Sequence, residues 1–542
     1  MAAAGVFAFY CLLLVFLPLA IQLSRPIAFH DYFGHHLGGI SSHPDQQLWK
    51  SRSLLNNLVF DYLQNEWNYR PVTNFFYNLG YYYFHGNFWV FDLGKWALKF
   101  LAALLIFSSL RHLGCDRLPA LAGAAFFLFH LTSFEAMTFA ADPVLAFFFL
   151  VCVYLLTLAP TKEADPGLDL ARFGPLRFLA LLGALFLMLG SKEPSTALTG
   201  VLLLAFLVFS TYTRRTFIKW LSLALVLLVN CWEILRPAMG RIKPVPVSQP
   251  FLTRLGNIVP YTVGFRVNSI YFVLLALLVA YGLYRSWGGK AFRFQVFFLV
   301  SLIAVTVFNC LCLGYPNVAW PRYAIPGAAV LALLVGLSLA QVRACPRIAS
   351  LLFLAVYPLL TGENILATHV TLHKYHKDGA YIINFIINKQ REGSEAFLLP
   401  PKSLAGWNAI YPEDFLTLRH FFNLYGPRFY QLDLHPVKMF PGSEAAPETF
   451  TLFTPLEYGN LDENLRNHYQ ITLYRFRPSG YGLVDNMIKG FHRASRLLHN
   501  KDLAAFDIPS TNRLRVYYLR KSPQPGYREF EQVNVDFGAL AP

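Results

Sequence analysis

The feature that most constrains the fold of this chain is a series of long apolar stretches before residue 370. Eleven occur, at residues 5–23, 88–110, 118–133, 137–159, 176–190, 194–211, 219–236, 269–284, 294–313, 325–341 and 348–367. An apolar helix of about 20 residues spans a bilayer. Only 14% of the residues are charged, whereas soluble domains carry about 25%. The sequence therefore predicts an α-helical polytopic membrane protein with about eleven transmembrane helices.

The chain changes character after this region. Residues 369–542 contain scattered charges, Pro and Gly, and short apolar runs of strand character at 396–399, 429–434, 449–454, 469–476 and 514–519. An amphipathic segment at 381–388 precedes them. These patterns predict a membrane domain at residues 1–368 and a C-terminal soluble α/β domain at residues 369–542.

The loops between the apolar stretches indicate the orientation. Lys and Arg cluster in loops 111–117, 162–177, 214–219, 285–293 and 343–347, which the positive-inside rule assigns to the cytoplasm. The first outer loop (24–87) and the C-terminal domain then lie outside. The absence of an Asn-x-Ser/Thr acceptor favours a bacterial inner membrane, with this side in the periplasm. The net charge of +15 fits contact with anionic membrane lipids and not with nucleic acid.

Five polar segments are predicted at the outer ends of the spans. They are Phe29-His30-Asp31-Tyr32, Tyr69-Arg70-Pro71-Val72-Thr73-Asn74, the segment from His130 through Glu135 to Asp142, Ser191-Lys192-Glu193-Pro194, and Trp320-Pro321-Arg322-Tyr323. Charged groups at membrane depth are costly and commonly serve function. Because one topology places all five on the same side, the sequence predicts a single outward-facing site.

Each segment also has a structural interpretation. Lys192 and Glu193 either form an ion-paired turn or present a cation to a phosphate. Arg322 either binds a ligand or anchors its helix at the interface. Glu135 and Asp142, seven residues apart, share a face if the segment is helical, and either pair structurally or bind a ligand.

The first outer loop leaves two further alternatives. Asp31 is either a functional carboxylate or an N-cap for the following helix. Four histidines, His30, His35, His36 and His43, are spaced too irregularly for a metal motif. No metal or other cofactor is therefore predicted, and a divalent ion remains the alternative.

The order of these segments resembles the GT-C superfamily of polyprenyl-phosphate-dependent glycosyltransferases. It is similar to the branch of the protein O-mannosyltransferases and the transmembrane, tetratricopeptide-repeat-containing O-mannosyltransferases. That branch has an acidic residue after the first span, then R-P-(V/L)-T, H-P-x-x-x-E-A … R-A-D, S-K-E and R-Y. The matching positions are Asp31, residues 70–73, residues 130–142, residues 191–193 and residues 322–323. The resemblance covers about residues 1–340.

The sequence departs from that pattern at three positions and in its C-terminal region. Leu131 replaces the Pro, Ala140 replaces the Arg of R-A-D, and His30 stands where a second carboxylate is expected. The tail shows no 34-residue period. These departures keep open a second interpretation, a non-catalytic GT-C-like scaffold or assembly subunit. A transporter is less favoured, because it requires a polar lining through the bilayer centre.

The resemblance implies an enzyme that transfers a hexosyl or pentosyl group, with inversion, from a polyprenyl phosphate to a protein, lipid or glycan acceptor outside the cytoplasm. It implies that Asp31 is the base with His30 beside it, and that Lys192, Arg322 and Arg70 bind the donor phosphate. The resemblance also implies a group of residues that position the sugar or the acceptor, namely Glu135, Asp142, Glu193, His130 and Tyr323.

Overall fold

The computed structural model describes most of the predicted membrane region and part of the C-terminal region. It covers residues 2–23, 71–73, 75–76, 88–130, 141–158, 168–241, 250–264, 269–312, 324–342, 345–398, 438–454, 461, 463–477, 482–498, 515–522 and 531–536. The chain divides into two compact units. Unit 1 is Met1–Leu19, Arg52–Leu366 and Met487–Leu503, and unit 2 is Ala20–Ser51, Ala367–Asn486 and Ala504–Pro542. The domain boundary predicted between residues 368 and 369 stays a prediction.

Helices make up the described part of unit 1. The first span consists of the α-helices α1 (Ala2–Cys11) and α2 (Leu17–Leu23), joined by a π-helix at Leu12–Phe16. The helices that follow are α3 (Phe88–His112), α4 (Arg117–Leu128), α5 (Ala141–Thr157), α6 (Pro175–Leu189), α7 (Ser195–Phe209), α8 (Arg214–Arg241), α9 (Phe251–Val263), α10 (Ile270–Arg285), α11 (Lys290–Cys312), α12 (Ile325–Ala340) and α13 (Pro346–Arg391).

These helices match the predicted spans. Within the described residues, the segments long and apolar enough to cross a membrane are Leu93–His112, Arg214–Trp232, Lys290–Leu311 and Pro346–Ala367. Shorter apolar helices are Gly5–Ile21, Arg117–Leu128, Pro143–Thr157, Pro175–Leu189, Ser195–Phe209, Ile270–Arg285 and Ile325–Ala340. Together they follow the order of the eleven predicted spans, and the prediction of a polytopic helical membrane protein is confirmed. Helix α9 lies between two of the predicted spans and was not predicted from the sequence.

Local sequence signals mark several helix boundaries. Pro175 is the first residue of α6, where its missing N–H costs nothing. The Ser269 hydroxyl accepts a hydrogen bond from the backbone N–H of Phe272 at 3.2 Å and so caps α10. Gly264 ends α9 in the left-handed conformation, with φ +79°. These caps satisfy backbone groups that the helix itself leaves unpaired.

Helix α12 lies at the centre of unit 1. Every residue from Ile325 to Leu339 is buried, as expected for a helix that is apolar on all sides. Close packing depends on glycine: a Cβ atom at Gly123 of α4 would lie 2.8 Å from the Ala332 carbonyl oxygen. Helix α8, by contrast, exposes Leu225 and Leu228. Such exposed apolar faces are expected where a helix contacts lipid.

Unit 1 also includes the segment Met487–Leu503. Its helix is α15 (Leu483–Leu497), which follows the short α14 (Glu463–His468) of unit 2. Gly362 of α13 leaves room for the Phe491 ring, because a Cβ atom there would lie 2.5 Å from Phe491 Cε1. Next to it, His492 Nδ1 and a Glu363 carboxylate oxygen are 2.5 Å apart.

Unit 2 contains a mixed sheet of six strands in its described residues. The strands are β1 (Glu395–Leu398), β2 (Lys438–Met439), β3 (Thr449–Thr454), β4 (Tyr469–Arg477), β5 (Arg515–Lys521) and β6 (Glu531–Asp536), in the spatial order β2-β1-β3-β5-β4-β6. Strand β5 pairs antiparallel with β3 and β4, and the other pairs are parallel. Phe450, Leu473 and Tyr517 lie in its core. The predicted α/β character of the C-terminal region is confirmed.

Candidate functional site

The predicted S-K-E segment forms a tight turn between α6 and α7. The Ser191 hydroxyl donates to the Leu187 carbonyl at 2.7 Å, which ties the start of the turn to α6. The Ser195 hydroxyl donates to the Lys192 carbonyl at 2.6 Å, and the Thr196 hydroxyl donates to the Glu193 carbonyl at 2.8 Å. These bonds fix the backbone of the turn from both helices.

The R-P-V-T segment contacts this turn. The backbone N–H of Val72 donates to the Gly190 carbonyl at 3.0 Å. The Thr73 hydroxyl donates to the Ser191 carbonyl at 2.8 Å. Both Val72 and Thr73 are buried. The structure therefore joins two of the five predicted segments, although more than a hundred residues separate them in the sequence.

Lys192 follows these contacted residues in the turn and is buried. Its side chain is only 2% exposed and is one of the largest fully buried side chains of the described chain. An ammonium group loses much hydration energy when it is buried, so it requires polar or anionic partners. A cation held by a rigid backbone can stabilise negative charge that develops on a bound group. Glu193, beside it, is half-buried.

His130 occupies a second buried position, directly after α4. It is fully buried, and its Nε2 lies 3.0 Å from the Thr262 carbonyl oxygen of α9. Because a carbonyl can only accept, Nε2 must carry the proton in this hydrogen bond. Tyr357 of α13 packs in the same region, with its ring 4.8 Å from that of Phe126, which in turn lies 5.1 Å from the His130 ring.

Gly264 closes the space around His130. A Cβ atom at this position would lie 3.4 Å from His130 Nε2 and 3.1 Å from the Tyr357 hydroxyl oxygen. The left-handed backbone and the short distances both favour glycine here. Because α9 supplies both Thr262 and Gly264, the orientation of His130 depends on a helix that the sequence did not predict.

Two buried lysines of α3 were not singled out from the sequence. Lys95 is 4% exposed and Lys99 is 5% exposed. The Lys99 ammonium lies 4.6 Å from the centre of the Trp96 ring. The signal was present, because two lysines four residues apart in an apolar stretch lie on one face of a helix.

The structure does not describe the side chains of the other predicted site residues. His30, Asp31, Arg70, Glu135, Arg322 and Tyr323 lie outside the described residues. Asp142 is the second residue of α5, and its side chain is outside the description. Among the described residues, no group of three or more His, Cys, Asp or Glu side chains is arranged to hold a metal ion. The predicted roles of all these residues stay predictions.

Comparison with solved structures identifies the fold. The crystal structure of ArnT from Cupriavidus metallidurans in the apo state matches with a TM-score of 0.50 and 14% identity, over 84% of this chain and 93% of that chain. The structure of ArnT bound to undecaprenyl phosphate matches with a TM-score of 0.47 and 14% identity, over 83% and 93%. No protein-family model and no curated protein matches the sequence. The apo match confirms the predicted GT-C-like fold.

Proposed function

We propose that this chain is a membrane glycosyltransferase of the GT-C type that uses a polyprenyl-phosphate-linked sugar. The observation that carries the proposal is the contact between residues 72–73 and the turn at residues 190–191, with Lys192 buried beside it. These are two of the segments through which the sequence resembles this superfamily. The fold shared with ArnT agrees with that resemblance.

The proposed reaction is an inverting transfer. The acceptor hydroxyl oxygen attacks the anomeric carbon of the sugar, and the bond from that carbon to the phosphate oxygen breaks. Asp31, with His30 beside it, takes the hydroxyl proton as general base. The leaving group is the polyprenyl phosphate, and cations that stabilise its charge make a general acid unnecessary.

Lys192 is the proposed cation for the leaving phosphate, and Arg322 and Arg70 are further candidates. Glu193 and His130, together with Glu135, Asp142 and Tyr323, are proposed to position the sugar or the acceptor. The proposal extends to a hexosyl or pentosyl donor and to a protein, lipid or glycan acceptor. It also places the reaction on the periplasmic side of a bacterial inner membrane. Within the superfamily, the sequence motifs favour the O-mannosyltransferase branch.

The test is a transfer assay on the purified full-length chain with a panel of labelled polyprenyl-phosphate hexoses and pentoses. Release of unglycosylated polyprenyl phosphate is measured in the presence of a membrane extract, so the acceptor need not be known. Asp31→Asn should lower the rate by about 10²- to 10⁴-fold, the usual contribution of a general base.

Asp116→Asn provides the matched control. Asp116 is exposed at the N-cap of α4 and its side chain makes no capping hydrogen bond, and Asn is an equally good cap. Equal turnover of Asp31→Asn and Asp116→Asn would exclude Asp31 as the base. Absence of turnover across the whole donor panel would favour the alternative, a non-catalytic scaffold or assembly subunit, which the changed positions Leu131 and Ala140 motivate.

A further inference from the structure

The two lysines of α3 have no role in the reaction proposed above. Lys95 and Lys99 are one helical turn apart, about 6 Å along the axis, and both are buried. None of the five segments that carry the resemblance includes this helix. A buried lysine in a membrane span is costly and is commonly retained for a ligand or an ion pathway.

The Lys99 side chain runs toward the N-terminal end of α3. Its ammonium lies 4.6 Å from the ring centre of Trp96, three residues earlier in the helix. Helical side chains generally point this way. His130 follows the last turn of α4, the neighbouring antiparallel helix. The ammonium is therefore directed to the same end of unit 1 as His130.

Lys99 lacks the hydrogen bonds that the half-buried Lys219 makes. In the part of the chain that the structure describes, its ammonium contacts the Trp96 ring and makes no hydrogen bond. Lys219, by comparison, donates to the Phe173 carbonyl at 2.6 Å. An ammonium carries three N–H donors, so Lys99 has the capacity to bind a ligand with several acceptor oxygens.

The first span is irregular where it contacts α3. Its π-helix, Leu12–Phe16, directly follows Cys11. The Phe16 and Phe100 rings are 6.1 Å apart, which places this π-helix against α3. Single π-turns within helices occur frequently at functional sites. This observation is independent of the lysine and indicates the same location.

The first span and α3 each expose apolar residues to the bilayer. Leu12 and Phe16 of the first span are exposed, and so are Leu101 and Leu104 of α3. A ligand that reaches Lys99 between these helices therefore needs an apolar tail as well as an anionic group. A monoester phosphate offers three terminal oxygens to an ammonium.

We propose that Lys99 binds the phosphate of a long-chain lipid monophosphate, whose tail lies between the first span and α3. Lys95 lies one turn nearer the N-terminal end of α3. It adds a second positive charge along the route by which the phosphate reaches Lys99. The inference rests on the proposed function, which supplies such a lipid as both carrier and product. It adds a phosphate-binding position on α3 to that proposed at Lys192.

Binding of undecaprenyl phosphate to the purified full-length chain in detergent tests this directly. Lys99→Met should raise the Kd at least about tenfold, the loss expected for one charge-assisted hydrogen bond. Lys489→Met is the matched control, because Lys489 is exposed on α15 of the same unit, and it should leave the Kd unchanged. An unchanged Kd in Lys99→Met overturns the proposal.

Inorganic phosphate distinguishes a lipid site from a general anion site. It lacks a tail, so it should bind the wild type at least about tenfold more weakly than undecaprenyl phosphate. Equal affinities would overturn the assignment to a lipid. If Lys99→Met fails to fold, Lys99→Gln, which keeps a polar side chain without charge, provides the same comparison.

The binding assay needs no turnover, so the two proposals fail separately. A wild type that binds the lipid through Lys99 but transfers no sugar supports this site and contradicts the proposed enzyme. A wild type that transfers sugar while Lys99→Met binds the lipid normally contradicts this site and leaves the enzyme in place.

Discussion

The two ends of the hairpin formed by α6 and α7 use polar residues in different ways. The motif end comprises residues 71–73 and 190–195, and the basic end comprises residues 168–177 and 210–219. At the basic end, Lys219 donates to the carbonyls of Leu170 and Phe173 at 3.3 and 2.6 Å. Arg177 donates to the carbonyls of Leu155 and Leu156 at 2.7 and 3.1 Å. Arg177 therefore binds carbonyls at the C-terminal end of α5, and Lys219 binds carbonyls of the segment that precedes α6.

At the motif end, hydroxyl groups bind the backbone of the turn. Hydroxyl groups of Ser195, Thr196 and Thr73 bind the carbonyls of the turn, and Lys192 is buried while both basic-end cations remain half-exposed. A cation that caps a helix at the surface stabilises the fold. A buried cation on a rigid turn is costly for the fold and is suited to bind an anion. The comparison teaches that burial, more than charge, distinguishes the cation of the candidate site from the cations of the basic loops that indicate membrane topology.

The largest expected effect comes from removing the cation at each end. Lys192→Met should lower release of polyprenyl phosphate in the transfer assay by about 10²- to 10³-fold, because the leaving phosphate loses a fixed positive charge. Lys219→Met should change that rate less than about threefold, since its ammonium binds backbone carbonyls at the other end. Equal losses in the two variants would contradict the functional difference between the ends.

A second comparison uses two glycines with positive φ. Gly264 (φ +79°) packs against His130 and Tyr357, whereas Gly114 (φ +86°), in the turn between α3 and α4, has nothing within 4 Å of an added Cβ atom. Gly114→Ala should cost about 1 kcal/mol for the left-handed backbone. Gly264→Ala should cost about 2 kcal/mol or more, because contact with two buried side chains adds to that strain.

The shift of the unfolding temperature in detergent measures both variants. A lower stability of Gly264→Ala, with Gly114→Ala nearer the wild type, would show that the packing around His130 is rigid. Identical shifts would mean that the Tyr357 and His130 side chains move aside freely, and would remove the argument that α9 fixes His130.

The helices that could be predicted from the sequence are those that local hydropathy specifies. Each apolar stretch became a helix because its residues specify burial or lipid contact without reference to distant partners. Helix α9 was missed because Arg254 and Pro260 interrupt its apolar pattern, and its place depends on packing against other helices. Strand β6 was missed for a similar reason: it is a polar edge strand, and its pairing with β4 determines its conformation.

The sequence identified the segments of the candidate site, but it did not predict how these segments contact one another. The motif order selected Lys192 and Thr73, but no local pattern encodes the hydrogen bond from Thr73 to the Ser191 carbonyl. His130 was selected as a polar residue at a helix end, whereas its partner Thr262 lies on an unpredicted helix. Lys99 was not predicted because the motif order selects residues at helix ends, and this lysine lies inside a span, where only its burial makes it notable.

The smallest expected effect concerns the hydroxyl that joins the motif segments. Thr73→Val keeps the shape of a buried side chain and removes its hydrogen bond to the Ser191 carbonyl, which should cost about 1 kcal/mol of stability because a buried acceptor loses its donor. Thr211→Val, at the basic end, removes an exposed hydroxyl bonded to Asp169 at 3.1 Å, and should stay within about 0.5 kcal/mol of the wild type.

Unfolding temperatures measure both changes, and the transfer assay adds a second readout. If the contact also positions Lys192, Thr73→Val should reduce turnover more than its stability loss alone explains, while Thr211→Val should not. A Thr73→Val protein that is less stable but fully active would limit this contact to a structural role.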